Sequence, residues 1–207
     1  MNRFLPISVF LLIFSACATS KYPNTTGGKA IQEIEVNSLF LDTGTVVSYR
    51  ANIEIGKEQL SGTLVMRTFN ADLRRFALLS DLGQTLIDIS IFKDYHVLNS
   101  VIPAMDKKIV IKEVASLFRT MTQPYVSTKE VISSNQDLRI YEIERGANRT
   151  FYSYSSIDLK EIAHYGKHKE RFKISFESSD NQYPSSIFLL HSRFPLRISL
   201  KQQNDNL

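Results

Sequence analysis

From Val47 to Ile55 the chain alternates strictly: Val47, Tyr49, Ala51, Ile53 and Ile55 are apolar, and Ser48, Arg50, Asn52 and Glu54 between them are polar. A period of two sends one set to each face of a strand, and a helix cannot sort the two sets that way. The rhythm returns after Gly56-Lys57-Glu58 with Leu60, Gly62, Leu64 and Met66. Further strands are predicted over Leu73–Ser80, Thr85–Phe92 and Tyr95–Val101, with Asn70-Ala71-Asp72 and Asp81-Leu82-Gly83-Gln84 as polar turns. Short strands joined by short turns make an antiparallel meander.

One segment breaks this rhythm. Between Pro103 and Pro124, Val110, Val114, Leu117, Phe118 and Met121 recur at three- and four-residue intervals, with Asp106 as N-cap and Pro124 as the stop. That spacing predicts a single amphipathic helix of about fifteen residues. Strands then resume at Lys129–Ser133, Asp137–Glu144, Arg149–Ser155, Lys169–Phe176, Ser186–His191 and Leu196–Lys201, while Ala30–Asp42 has an ambiguous period. The expected fold is mainly β, with about nine to eleven strands and one or a few helices. A sheet of that length curls rather than staying flat. A strongly curved antiparallel half-barrel covered by a helical lid is the natural arrangement.

The N-terminus has a different character. Met1-Asn2-Arg3 is positive, Phe4 to Phe14 is almost continuously apolar, and small residues Ser15-Ala16 precede Cys17, the only cysteine of 207 residues. This is the layout of a secretory signal, too short for a comfortable membrane span. Phe14-Ser15-Ala16-Cys17 also has the form of a bacterial lipobox, in which a lipid joins the cysteine sulfur and the signal is cut just before it. An ordinary secreted protein with an incidental cysteine is the alternative. The domain reading is a signal peptide over 1–16, a flexible tether over 17–29 and a single domain over 30–207. A single cysteine excludes an internal disulfide or a cysteine-rich metal site.

No chemistry-bearing motif emerges. The formal charge of +4 is spread without a polybasic tail, which argues against nucleic acid and suits work beside an anionic membrane. Gly27-Gly28-Lys29 lacks phosphate-loop spacing, and no serine stands in a Gly-x-Ser-x-Gly setting. His164 and His168, four apart around Tyr165-Gly166, read as a solvated hairpin rather than a zinc pair. His96 and His191 read as partly exposed sheet residues. Glu142 and Glu144, on one strand face, read as solvent-exposed. The expectation is a protein without catalytic residues, metal or cofactor.

What remains is apolar lining, supplied in part by 13 phenylalanines and 9 tyrosines. A self-filled core is the plain expectation for each residue. The sharper one is that the concave face and the apolar side of the helix enclose a cavity for an acyl chain. Met66, Phe76, Leu78, Phe118, Met121, Phe172 and Phe176 are the candidates.

Three stretches resemble the bacterial outer-membrane lipoprotein carriers and receptors, LolA and LolB. Arg75–Ile87 (RFALLSDLGQTLI) resembles the receptor's strand–Leu-Gly-Gln–strand hairpin, and Asp106–Thr122 sits where that family places lid helices. Tyr183–Lys201 (YPSSIFLLHSRFPLRISLK) resembles its C-terminal strand pair. The resemblance implies an eleven-stranded half-barrel whose lidded cavity holds lipoprotein acyl chains. It also implies a receptor-type hairpin tip that enters the membrane, here Thr68–Leu73 with Phe69 or Leu73 as the inserting residue. The receptor's common tryptophans are absent.

Two readings follow. The first is a lipoprotein anchored through acylated Cys17 that binds lipid or lipoprotein acyl chains, with the outer membrane, facing the periplasm, as its place. A role in lipoprotein localisation, with a periplasmic carrier as partner, goes with it. The second is a non-catalytic structural or protein-interaction lipoprotein with a filled core.

Overall fold

A computed structural model of the chain describes residues 32–37, 40–132, 138–167, 169–177 and 183–203. Cys17, the stretches read above as signal and tether, and His168 lie outside them. The described chain forms thirteen strands and one helix: β1 (Gln32–Glu35), β2 (Val46–Ile55), β3 (Glu58–Thr68), β4 (Leu73–Leu79), β5 (Thr85–Phe92), β6 (His96–Val101), α1 (Lys108–Thr122), β7 (Tyr125–Ile132), β8 (Leu138–Arg145), β9 (Asn148–Ser155), β10 (Asp158–Tyr165), β11 (Glu170–Glu177), β12 (Ser186–His191) and β13 (Leu196–Gln202). All belong to one sheet, in the order β1-β7-β8-β9-β10-β11-β12-β13-β2-β3-β4-β5-β6. Every pairing is antiparallel. The sheet is not closed: β1 and β6 are its two edges.

The curl follows from where the helix packs. α1 contacts both β5 and β11, between which lie β12, β13, β2, β3 and β4. Laid flat at about 4.8 Å per strand, that interval would span roughly 29 Å. α1, with 15 residues, is about 22 Å long, shorter than that interval even if it lay across the strands, and the single core it belongs to reaches still farther round, to Ile143 on β8 and Tyr152 on β9. The sheet therefore wraps around α1, and the inward positions of the strands and the apolar stripe of the helix form one core. The alternation in β2 appears as buried Val47, Tyr49, Ala51 and Ile53 between more exposed neighbours. The Phe76 and Phe118 rings, from β4 and α1, stack at 4.4 Å with 12° between planes.

The segment after β1 ties the helix end down. The Val36 amide donates to the Pro124 carbonyl at 2.8 Å, the Asn37 side chain donates to the Met121 carbonyl, and the Tyr154 hydroxyl donates to the Val36 carbonyl. Farther on, the Thr68 hydroxyl donates to the Phe40 carbonyl at 3.0 Å.

Several expectations are corrected. The strands number thirteen, more than the nine to eleven read from the sequence. β10 was hidden because a register shift between Leu159 and Glu161 puts the buried Leu159 and Ile162 three residues apart instead of two or four. The ambiguous Ala30–Asp42 stretch holds the short β1, and β7 begins at Tyr125 rather than Lys129. The helix N-cap is Lys107, with no side-chain cap, rather than Asp106.

Candidate functional site

The face that a half-barrel offers to a ligand is its concave side; five of the seven candidate residues lie on it, and Phe118 and Met121 face it from α1. Met66, Phe76, Leu78, Phe118, Met121, Phe172 and Phe176 are buried members of one cluster, none more than 5% exposed. Inward phase explains this: Phe76 and Leu78 alternate with partly exposed Leu79 and Ala77, as Phe172 and Phe176 do with Lys173 and Ser175. The interior beneath α1 is thus packed by its own side chains. Among the described residues two surface pockets, of about 200 Å³ and about 420 Å³, are formed, and none of the seven lines either.

A polar cluster pins the N-terminal half of α1. Glu113 lies within the apolar stripe, three residues after Val110 and four before Leu117, and is buried. Its carboxylate accepts from Arg171 Nη2 at 2.9 Å on both oxygens and from His191 Nε2 at 3.0 Å. His191 Nδ1 accepts the backbone amides of Arg193 and Phe194, at 3.2 and 2.9 Å. Since Nδ1 accepts, the ring proton sits on Nε2 and points at the carboxylate. Both ring nitrogens are thereby engaged, so His191 has no free base for proton transfer. The cluster ties α1 to β11 and β12, beside the larger pocket, which Lys167, Arg193 and Phe194 help to line. His191 is buried, not partly exposed as its sequence setting suggested. Glu142 is also corrected: it is buried on β8 and paired with Arg149, whose guanidinium also lies over the Phe151 ring at 4.9 Å.

His164 lies on β10, not in a solvated hairpin. Its ring stacks on Phe172 at 4.7 Å, and its Nδ1 lies 2.8 Å from the Thr150 hydroxyl. Burial, reinforced by the charge of Arg171, pushes its pKa down to about 4. The fold therefore holds it neutral, while the unfolded chain takes up its proton near the ordinary value of about 6.5. Stability is full above that value and falls as the pH drops from about 6.5 towards 4, by up to about 2–3 kcal/mol. Denaturant titrations at intervals across this window should show the decline, and His164→Gln should reduce it, the remainder coming from His96, whose pKa burial also lowers. The loss from Asp88, whose carboxyl is held low by the Arg75 side-chain hydrogen bond, begins only below its ordinary value near 3.8. Among the described residues no group of three or more histidines, cysteines or carboxylates is arranged to hold a metal.

The β3–β4 hairpin tip lies between Thr68 and Leu73. Phe69 is half-exposed, lying under the Arg67 guanidinium at 4.8 Å, and Leu73 is part-buried as β4 begins. Leu82, at the β4–β5 turn, is 96% exposed. That turn closes through the Gly83 amide to the Ser80 carbonyl at 2.9 Å, with Gly83 at φ +77°, a conformation glycine adopts without penalty.

The sequence reading did not single out Glu113, Arg171 or His191 as partners, nor the two arginines Arg74 and Arg119 that line the smaller pocket. A signal existed for two of them. Glu113 interrupts an apolar helical stripe, and Arg74 shares the phase of Phe76 and Leu78.

No protein-family model matches the sequence, and no curated protein matches it at a significant level. Among solved structures, the chain is similar to a crystal structure from Vibrio parahaemolyticus described as an outer membrane lipoprotein-sorting protein domain, with 8% identity over 78% of this chain and 86% of that chain and a TM-score of 0.42.

Proposed function

We propose that the chain is a non-catalytic, membrane-anchored binder of acyl chains in the bacterial cell envelope, attached through a lipid on Cys17. The observation that carries this reading is the relation of helix to sheet. α1 fills the concave side of an unclosed sheet without joining its hydrogen-bond ladder. Moving α1 uncovers an apolar trough and breaks no strand pairing. Lipid or lipoprotein acyl chains are the fitting ligands, with lipoprotein localisation at the outer membrane as the setting and a carrier that hands over acylated cargo as partner. Leu82, the most exposed apolar tip, is the natural membrane contact.

Magnitudes limit how the helix moves. Exposing Val110, Ile111, Val114, Ala115, Leu117, Phe118 and Met121 of α1 together would cost on the order of 10–15 kcal/mol. Burying about a dozen methylenes of one acyl chain returns roughly 10 kcal/mol. One chain therefore offsets a tilt of α1, and two chains its full displacement.

The packed state of the seven interior residues favours the second reading, a structural or interaction lipoprotein with a filled core. Uptake of a fluorescent fatty acid by residues 18–207 separates the two. Glu113→Gln weakens the ties to Arg171 and His191, so it should increase uptake several-fold while the circular dichroism of the sheet is retained. If neither protein takes up the probe, the filled-core reading stands.

A further inference from the structure

The pocket of about 420 Å³ forms where the β10–β11 and β12–β13 turns meet the N-terminal half of α1. Gly166 and Lys167 line it from the first turn, Arg193 and Phe194 from the second, and Arg171 and Glu113 line it as an ion pair. Both turns are built onto that pair. A Cβ placed at Gly166 would stand 3.5 Å from Arg171 Cδ, so Lys167 departs from beside the Arg171 stem. On the β12 side, the Ser192 amide donates to the Arg171 carbonyl at 2.7 Å. The Arg193 amide donates to His191 Nδ1, and Nε2 of that ring is on the Glu113 carboxylate. Lys167 and Arg193 thus start from the two sides of one ion pair and line one cavity. Both are exposed, and their side chains make no ion pair among the described residues. Glu113, the one carboxylate of the lining, is already held by Arg171 and His191. Glu170, at the start of β11, accepts from Ser192 and Tyr165 and does not line the cavity. A concave site lined by one sign of charge concentrates ions of the other.

We propose that this cavity holds the anionic headgroup, a carboxylate or a phosphate, of an acyl amphiphile, with Lys167 and Arg193 as its charge partners. Arg193 offers a planar fork to two oxygens of one group, and Lys167 brings a point charge on a flexible four-carbon stem. The two can therefore converge on one headgroup without a preset spacing. Ile109, 58% exposed in the first turn of α1, and Phe194 add apolar wall beside the cations, as the junction of a headgroup with its chain requires. Glu113 belongs both to this cavity and to the apolar stripe of α1, between Val110 and Leu117. A headgroup held here leaves its chain at the border of the interior beneath α1. The place of the chain rests on the acyl-binding reading above, whereas the anion site does not. The amide or ester that joins an acyl chain to a peptide carries no charge, so the cavity favours an acidic lipid over an acylated peptide.

The test uses the full chain in nonionic detergent, titrated by calorimetry with octyl phosphate, octanoate and octanol, which share a chain and differ in headgroup. Glycerol 3-phosphate serves as a headgroup without a chain. Each ligand is read as the ratio of wild type to a double variant, Lys167→Gln with Arg193→Gln, so partition into detergent cancels. The expected result is a loss of about tenfold or more for octyl phosphate or octanoate and none for octanol, with the circular dichroism unchanged. Lys167→Arg with Arg193→Lys, which keeps both charges, should retain most of the affinity. Octyl phosphate bound at least about tenfold tighter than octanoate identifies a phosphate headgroup, and equal or reversed affinities identify a free fatty acid. Octyl phosphate that binds no tighter than glycerol 3-phosphate, with both weakened in the variant, supports the anion site and counts against acyl binding. Octyl ligands that bind the double variant as well as the wild type overturn the headgroup site and leave acyl binding standing. If none of the four binds, both fall.

Discussion

Phe118→Ala is expected to destabilise the fold by about 3–5 kcal/mol, a fall of roughly 10 °C in Tm for a domain of this size. Phe118 is 1% exposed, stacks on Phe76, and lies in the turn of α1 that follows Glu113. Removing the ring loses its transfer energy and leaves a cavity, because strands on either side are fixed by their ladders and cannot collapse inward. The cavity would be apolar and dry, and should admit a small apolar probe such as benzene. Phe69→Ala provides the comparison: half-exposed at a turn, it should change stability by no more than about 0.5 kcal/mol. Thermal unfolding of both variants checks the pair. Equal effects would mean that α1 is not packed on β4 as described.

Gly62→Ala should cost about 3 kcal/mol or more, although it adds a single methyl group. Gly62 sits on the inward face of β3, in phase with Leu64 and Met66. A Cβ built there would overlap the Leu79 carbonyl oxygen and stand 3.2 Å from the Ser80 Cα. The obstacle is backbone, so no side-chain rotation relieves it. β4 is paired with β3 as far as Thr63 opposite Leu79, and the chain leaving β4 at Leu79 and Ser80 passes close over Gly62, where the register between β4 and β5 shifts at Leu78/Leu79. Close backbone approach is one of the recognised reasons for glycine inside a strand. The alanine variant should therefore lower Tm or fail to accumulate, whereas Ser61→Ala, one residue away and exposed, should be nearly neutral.

The alternation of β2 and the three- and four-residue spacing in α1 made the main elements readable from the sequence, because each element buries one face and that face imposes its period. The same logic placed the seven interior residues on or facing the concave side. It failed at β10, where a bulge shifts the phase between Leu159 and Glu161, and at β1, whose four residues are too few to show a period. It failed also for Glu113 and His191. A charge within an apolar stripe announces burial, but the partner that compensates it, Arg171, lies 58 residues away and is chosen by the sheet's curvature. Whether the interior is filled was illegible for a similar reason: inward phase names the residues that face the centre, and how closely opposite walls approach depends on the curl.

On the proposed function, an acyl chain enters the space between α1 and the concave face. The most direct measurement is photo-crosslinking of residues 18–207 with a diazirine-bearing fatty acid, followed by mass-spectrometric mapping of the adducts. Adducts on the inward residues of β3 and β4 and on α1, among them Met66, Phe76, Phe118 and Met121, are the predicted result. Absence of adducts, or adducts confined to exposed apolar tips such as Leu82 and Ile157, would contradict it.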